Sequence, residues 1–228
     1  IQGESHLLER EIHGIILGEL EYKFPGLFSD LIDQKERSGI AARDVLTFLK
    51  DFPEQGHQVI ILDNMSNANQ AALQYFRSTY PHCIVIQGDI RDVECVTRLF
   101  HQYSIGTLFH LGGLKSLQES LEKPDLYMEV NYKATCALFD IALKEGVSSI
   151  VFSSSATVYT HAGTHCPAEG FHETLALEPD KLENHYAKSK RSVEIYMEKV
   201  LHDRYPERLL LSLRYFNPVA NHPDKPLW

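Results

Sequence analysis

Tyr186 and Lys190 stand one helical turn apart, downstream of an apolar run, Ile150-Val151-Phe152, that ends in Ser153-Ser154-Ser155. Residues at this spacing share one face of a helix. A free tyrosine has a pKa of about 10, so acting as a base near neutrality requires about 4 kcal/mol of favourable interaction with the phenolate. A neighbouring ammonium supplies much of that. A hydroxyl from Ser155 can donate to the phenol oxygen or to a substrate hydroxyl. A buried strand ending in hydroxyls, followed by a Tyr/Lys pair, therefore reads as a proton-transfer site. The competing reading is a surface helix on which Tyr and Lys fall four apart by chance, and the Ser-rich strand end weighs against it.

Other candidate residues also fall at strand ends. Asp63 closes His57-Gln58-Val59-Ile60-Ile61-Leu62. A carboxylate there suits the ribose hydroxyls of a dinucleotide and disfavours a 2′-phosphate, so NAD rather than NADP; the alternative is a turn residue or a cap. Gly88-Asp89-Ile90 repeats the arrangement one unit on, either holding an adenine or, through Asp89, capping the helix that starts near Val93. Gly112-Gly113-Leu114-Lys115 is a loop whose glycines admit a ligand close to the backbone, or else a plain tight turn. His161, His165, Cys166 and His172 match no metal-ligand spacing, so no metal is expected.

The elements that must position these residues follow a cycle. Strands are expected at 57–62, 83–86, 107–111, 150–152 and 209–213, and helices at 40–49, 71–79, 93–103, 127–145 and 186–204. Short apolar runs alternating with longer helices imply βαβ units, hence an α/β fold with a parallel sheet covered on both faces. Ligands of such sheets sit beyond the carboxyl ends of the strands. The first forty residues are less regular. Leu8, Ile12, Ile15, Ile16 and Leu20 form a rough helical stripe broken by Gly14 and Gly18, with Ile15-Ile16-Leu17 as an alternative strand.

Composition narrows the partners. With 22 Lys and Arg against 31 Asp and Glu, a net charge of −9, the chain lacks the basic patch that nucleic acid or an anionic membrane requires. No apolar window is long enough to span a bilayer, and no signal pattern opens the chain. Cys83, Cys95, Cys136 and Cys166 include no C-x-x-C pair, so reduced thiols in a cytoplasmic protein are expected.

Six motifs in order make the chain resemble the UDP-glucose 4-epimerase family of extended short-chain dehydrogenases/reductases. They are Asp63-Asn64, Gly88-Asp89-Ile90-Arg91, His110 to Ser116, Phe152 to Tyr159, Tyr186-x-x-x-Lys190 and Arg214-Tyr215-Phe216-Asn217-Pro218. The resemblance implies a Rossmann-like doubly wound parallel sheet, bound NAD and a UDP-sugar substrate, and leaves room for a homodimer. By that resemblance Asp63, Asn64, Met65, Ser66, Asn67 and Ala68 hold the adenosine ribose and its phosphate, and Asp89 and Ile90 the adenine. Leu111, Gly112, Gly113, Leu114, Lys115, Ser153 and Tyr186 line the cofactor, Lys190 binds the nicotinamide ribose, and Phe216 lies near the nicotinamide. Ser155 and Tyr186 flank the sugar 4-hydroxyl, with Lys115 and Asn217 also on the substrate. The implied reaction interconverts UDP-glucose and UDP-galactose through a 4-keto intermediate. Related dehydratases carry an Asp-Glu pair where this chain has Ala156 and Thr157, which argues against dehydration.

Three departures accompany the resemblance. Lys35, Ser38 and Ala41 stand where the family's Gly-x-x-Gly-x-x-Gly loop would lie, so the first strand and glycine loop are expected to be atypical. Met128 stands where the family has an Asn near the cofactor. The C-terminal substrate lobe is expected to be missing. The expected division is an atypical segment 1–39 and an incomplete NAD-binding domain 40–228. A non-catalytic nucleotide- or partner-binding module, or an epimerase for another UDP-sugar, are the other readings.

Overall fold

The computed structural model describes residues 12–16 as backbone, and 58–66, 77–78, 81–159 and 171–216 in full. Among the described residues six strands form one parallel sheet: β1 (Ile12–Ile16), β2 (Gln58–Asp63), β3 (Ile84–Gln87), β4 (Ile105–His110), β5 (Ser149–Ser155) and β6 (Leu209–Tyr215). Their spatial order is β3-β2-β1-β4-β5-β6. The first described strand therefore lies in the middle of the sheet, the chain works outward through β2 and β3, and it then crosses back to β4 on the other side of β1. That reversal opens a crevice beyond the carboxyl ends of β1 and β4, where an α/β sheet of this order takes its ligand.

One expectation is corrected here. The stripe from Leu8 to Leu20 reads as helical, yet Ile12–Ile16 is a strand, paired parallel with β2 from Ile12↔Gln58 to Ile16↔Leu62 and with β4 from His13↔Thr107 to Ile16↔His110. Three β-branched isoleucines around Gly14 favour a strand over a helix, and β2 and β4 each offer an unpaired backbone edge that only an intervening strand can satisfy. Ile12–Ile16 falls within segment 1–39, so the sheet takes its central strand from there. The expected helix 40–49 and the positions of Lys35, Ser38 and Ala41 lie outside the described residues. So does most of 71–79, of which Arg77 and Ser78 are helical.

The remaining elements follow the sequence closely. Helix α1 (Val93–Gln102) turns Val96, Leu99 and Phe100 inward, and its N-cap is Asp92, whose side chain accepts from Cys95 N at 2.9 Å. A short helix α2 (Leu117–Glu122), not anticipated, is capped by Ser116, which accepts from Glu119 N at 3.1 Å. Helix α3 (Pro124–Tyr127) opens on a proline, whose missing N–H costs nothing at that position. It runs through a wide π-type stretch, Met128–Ala134, into α4 (Thr135–Lys144). Helix α5 (His185–Tyr196), capped by Asn184 on Ala187 N at 2.7 Å, continues through a second wide stretch, Met197–Leu201, into α6 (His202–Arg204).

One apolar core joins these helices to the sheet, with Leu138, Phe139, Ala142, Val193 and Met197 meeting Ile60, Leu62, Leu108, Ile150 and Phe152. The intervening strand residues Val59, Ile61, Phe109 and Val151, which point to the opposite face, are equally buried. The sheet is thus covered on both sides, as a doubly wound fold requires, and the strands are apolar runs rather than alternating ones for that reason. No described helix is long and apolar enough to cross a membrane.

His110, at the end of β4, is a polar guest in this core. Its Nε2 lies 2.9 Å from Thr135 Oγ1, its ring stacks on Phe152 and meets Phe139 edge-on, and Nδ1 has no partner. Complete burial, with a smaller contribution from the Lys190 charge, pushes its pKa down to about 3. The unfolded chain, with a histidine pKa of about 6.5, takes up a proton that the folded chain refuses, so His110 subtracts stability as pH falls from about 6.5 towards 3. Its share of the slope is about 1.4 kcal/mol per pH unit. Urea unfolding at pH 7, 6 and 5 is expected to show that slope in the wild type and a shallower one in His110→Phe.

Candidate active site

Tyr186 and Lys190 project from the first turns of α5 towards the carboxyl end of β5. The Lys190 ammonium is 5% exposed. It donates to the Ser153 carbonyl at 2.8 Å and sits 4.9 Å from the centre of the Phe152 ring and 5.9 Å from that of Tyr186. Burial draws its pKa down to about 8, against an opposing pull from Glu194. Tyr186 is largely enclosed. Burial raises its pKa, while a hydrogen bond with the Ser155 hydroxyl and the charge of Lys115 lower it. The ammonium beside Tyr186 was expected to depress the phenol, but in the protein alone desolvation wins, because the phenolate loses more hydration than these neighbours return. Ser155 is itself fixed in place, accepting from Thr157 N at 3.2 Å and Thr157 Oγ1 at 3.0 Å. The sequence-expected trio of Ser155, Tyr186 and Lys190 is therefore assembled at one strand end.

Asp63, Asn64 and Asp89 meet at the ends of β2 and β3. Asp63 is buried, and its Oδ1 accepts from Met65 N at 2.6 Å across a turn in which Met65 takes φ 60°. Asp63 thus shapes the turn, as the plainer reading held, and presents a carboxylate at the strand end as well. Asn64 donates to Asp89 Oδ2 at 3.1 Å and accepts from Ser66 N at 3.0 Å. Asp89 is held by Arg91 through Nε at 3.0 Å and Nη2 at 2.8 Å, and that guanidinium keeps its carboxyl well below the usual carboxylate range. The alternative role for Asp89 as cap of α1 is overturned, since Asp92 fills it. Ile90 is half-buried and packs on the core beside this cluster. Asn67, Ala68 and Asn217 lie outside the described residues, as do His161, His165 and Cys166.

The loop Leu111 to Lys115 leaves β4 beside both groups. Leu111 and Gly112 are buried and Lys115 is exposed. Gly113 adopts φ 132°, and a Cβ there would stand 2.8 Å from Asn131 Oδ1, so only glycine fits. Asn131, which holds this loop in place, was not among the residues expected from the sequence. From the wide stretch between α3 and α4, it accepts from Leu114 N at 2.7 Å and donates to Leu114 O at 2.7 Å. It is buried at 2% exposure and clamps the loop as a strand neighbour would. The sequence marked only a departure at Met128, where the family has an Asn; the available signal for Asn131 was an Asn on the inner side of a helix, where an amide needs partners. Phe216 is 65% exposed and stacks on Tyr159 at 6.3 Å between ring centres. No group of His, Cys, Asp or Glu able to hold a metal occurs among the described residues.

The carboxyl edge of the sheet thus carries a Ser/Tyr/Lys cluster at the end of β5 and a pair of carboxylates at the ends of β2 and β3. Known proteins are similar to this chain in sequence and in fold. The chain is 35% identical over 184 residues to the UDP-glucose 4-epimerase of Neisseria meningitidis serogroup B, covering 80% of this chain and 51% of that protein. It is 33% identical over 173 residues to UDP-glucose 4-epimerase 1 of Oryza sativa, covering 74% and 47%. The chain thus spans about half the length of the curated relatives it matches. Among solved structures, UDP-glucose 4-epimerase from Bifidobacterium longum, in complex with NAD+ and UDP, superposes with a TM-score of 0.69 at 27% identity, over 93% of this chain and 55% of that one. The Stenotrophomonas maltophila enzyme, with bound NAD and formylated UDP-arabinopyranose, gives 0.67 at 26% identity, over 90% and 53%. Residues 47–226, most of the chain and the part that carries every expected site residue, match the NAD dependent epimerase/dehydratase family, and the chain belongs to that family.

Proposed function

We propose that the chain provides the cofactor-binding and proton-handling part of a UDP-hexose 4-epimerase, interconverting UDP-glucose and UDP-galactose through the 4-keto sugar. The observation that carries the reading is the Ser155, Tyr186 and Lys190 cluster, with a buried ammonium beside a phenol that shares a hydrogen bond with a strand-end hydroxyl. The donor set fits NAD. Asp63 offers a carboxylate to the ribose diol without room for a 2′-phosphate charge, the Gly112-Gly113 backbone permits close approach, and Lys190 faces the same strand ends. NAD, when bound, supplies the hydride acceptor and donor. Tyr186 takes the proton of the sugar 4-hydroxyl and returns it, Ser155 holds that hydroxyl in line, and Lys190 keeps positive charge on the side of the Tyr186 ring. Asn131 holds the Gly113 loop rigid while this occurs.

A nucleotide-binding module without turnover is the second reading, favoured by Tyr186, whose pKa burial holds above the ordinary value. Purified protein given NAD and UDP-galactose, with UDP-glucose followed by a coupled dehydrogenase, is expected to turn over and to bind NAD at micromolar concentration in calorimetry. Binding without turnover selects the module. Neither binding nor turnover overturns both readings.

A further inference from the structure

Glu194 is fully buried, at 0% exposure, on α5 one turn beyond Lys190. Its carboxylate accepts from Ser154 Oγ on β5 at 2.5 Å, from Arg214 Nε and Nη2 on β6 at 2.9 and 2.8 Å, and from Arg191 Nη1 on its own helix at 3.0 Å. Ser154 and Arg214 are direct partners across the β5/β6 register. Arg214 reaches on to the Tyr159 hydroxyl at 2.9 Å and the Glu173 carbonyl at 2.6 Å. A buried ionic cluster is a poor source of stability, since desolvating its members offsets most of their attraction. What this one does is geometric. Lys190 is anchored to Ser153 and Glu194 to Ser154, so two successive turns of α5 are bonded to two successive residues of β5. The helix can then neither slide nor roll against the strand that carries Ser155.

We propose that Glu194 is a positioning residue for Tyr186 and Lys190: its carboxylate braces α5 against the ends of β5 and β6 and serves as the buried counter-charge of the Lys190 ammonium. The inference rests on the reading of Tyr186 and Lys190 as the proton-handling pair. The groups facing Lys190 are Tyr186 and Glu194 on its own helix, Phe152 and the Ser153 carbonyl on β5, and neutral His110 on β4. Those facing Tyr186 are Lys190, Ser155, Lys115 and Tyr127. Of the charged groups, Glu194 is the one that raises the affinity of Lys190 for its proton.

The test is an NMR titration of 13Cε-labelled lysine in the full chain, with the Lys190 signal assigned by its loss in Lys190→Arg. In Glu194→Gln the Lys190 midpoint is expected to fall by about one unit, the low end of what losing one nearby opposite charge does. Glu198→Gln, which removes an exposed partner of Arg191, leaves it in place, and Glu194→Asp, which keeps the charge, restores most of it. Because Glu194→Gln strands Arg214, the double variant Glu194→Gln/Arg214→Gln provides a neutral, foldable form in which the same fall is expected. An unmoved Lys190 midpoint in whichever of these folds overturns the proposal and leaves Glu194 a packing residue. Turnover of UDP-galactose by the wild type is measured alongside; its absence counts against the epimerase reading, while the titration still judges Glu194.

Discussion

Tyr186→Phe is expected to lose turnover by about 10²- to 10⁴-fold, the usual contribution of a positioned acid-base group, while leaving NAD binding and stability nearly unchanged. Phe keeps the ring that packs beside Lys190 and removes only the hydroxyl. The expectation follows from where the proton can go. Ser155 is engaged by both Thr157 N and Thr157 Oγ1, so it orients a substrate hydroxyl but is poorly placed to accept its proton alone. Lys190, charged below about pH 8, has no lone pair to offer at neutrality. Tyr186 is the remaining acceptor. Burial holds its pKa above the ordinary value in the protein alone, so its phenolate has to be drawn out by positive charge brought in with the ligands. The turnover of the two proteins in the coupled assay, with the dissociation constant for NAD from calorimetry, decides the matter. A variant that keeps more than about a tenth of wild-type turnover would assign the proton to another group.

Phe152→Ala should lower the unfolding free energy by about 3–5 kcal/mol, which is a large part of the roughly 5–15 kcal/mol that holds a domain of this kind together. Phe152 is fully buried in β5. It stacks on His110 at 5.9 Å, meets Phe139 at 6.0 Å and lies under the Lys190 ammonium at 4.9 Å. Truncation therefore opens a cavity bounded by a strand on each side, which cannot collapse without pulling the sheet apart. It also removes the ring face that stabilises a desolvated cation. Phe152→Leu, which keeps most of the volume, is expected to cost under half as much. Urea midpoints at constant slope measure both effects. A Phe152→Ala midpoint equal to that of wild type would show that the core beneath Lys190 is not close-packed.

Both predictions concern residues that were legible in the chain itself. Ile150-Val151-Phe152 reads as a buried strand because a sheet covered on both faces makes its strands uniformly apolar, and the structure extends that strand through Ser155. Tyr186 and Lys190 share a helix face by spacing alone. Asp63 falls at a strand end because polar residues terminate apolar runs. Ile12–Ile16 was harder. Its isoleucines satisfy the helical period as well as the strand period, and what makes it a strand is a pair of open edges contributed by β2 and β4, which are distant in sequence.

The alternating strands and helices, the candidate residues at strand ends and the family to which they point were therefore all legible in the order of residues. These depend on residue types and short spacings, which local backbone preference and burial translate directly into elements. The folded arrangement alone set which partner each polar group takes. Asp92 rather than Asp89 caps α1, Asn131 clamps Leu114 from 17 residues away, and Glu194 gathers Ser154 and Arg214 from 40 and 20 residues away. It also decided that the phenol of Tyr186 is raised rather than depressed. Hydrogen bonding and desolvation act through space, and a one-dimensional spacing carries no record of which distant residue closes over a given side chain.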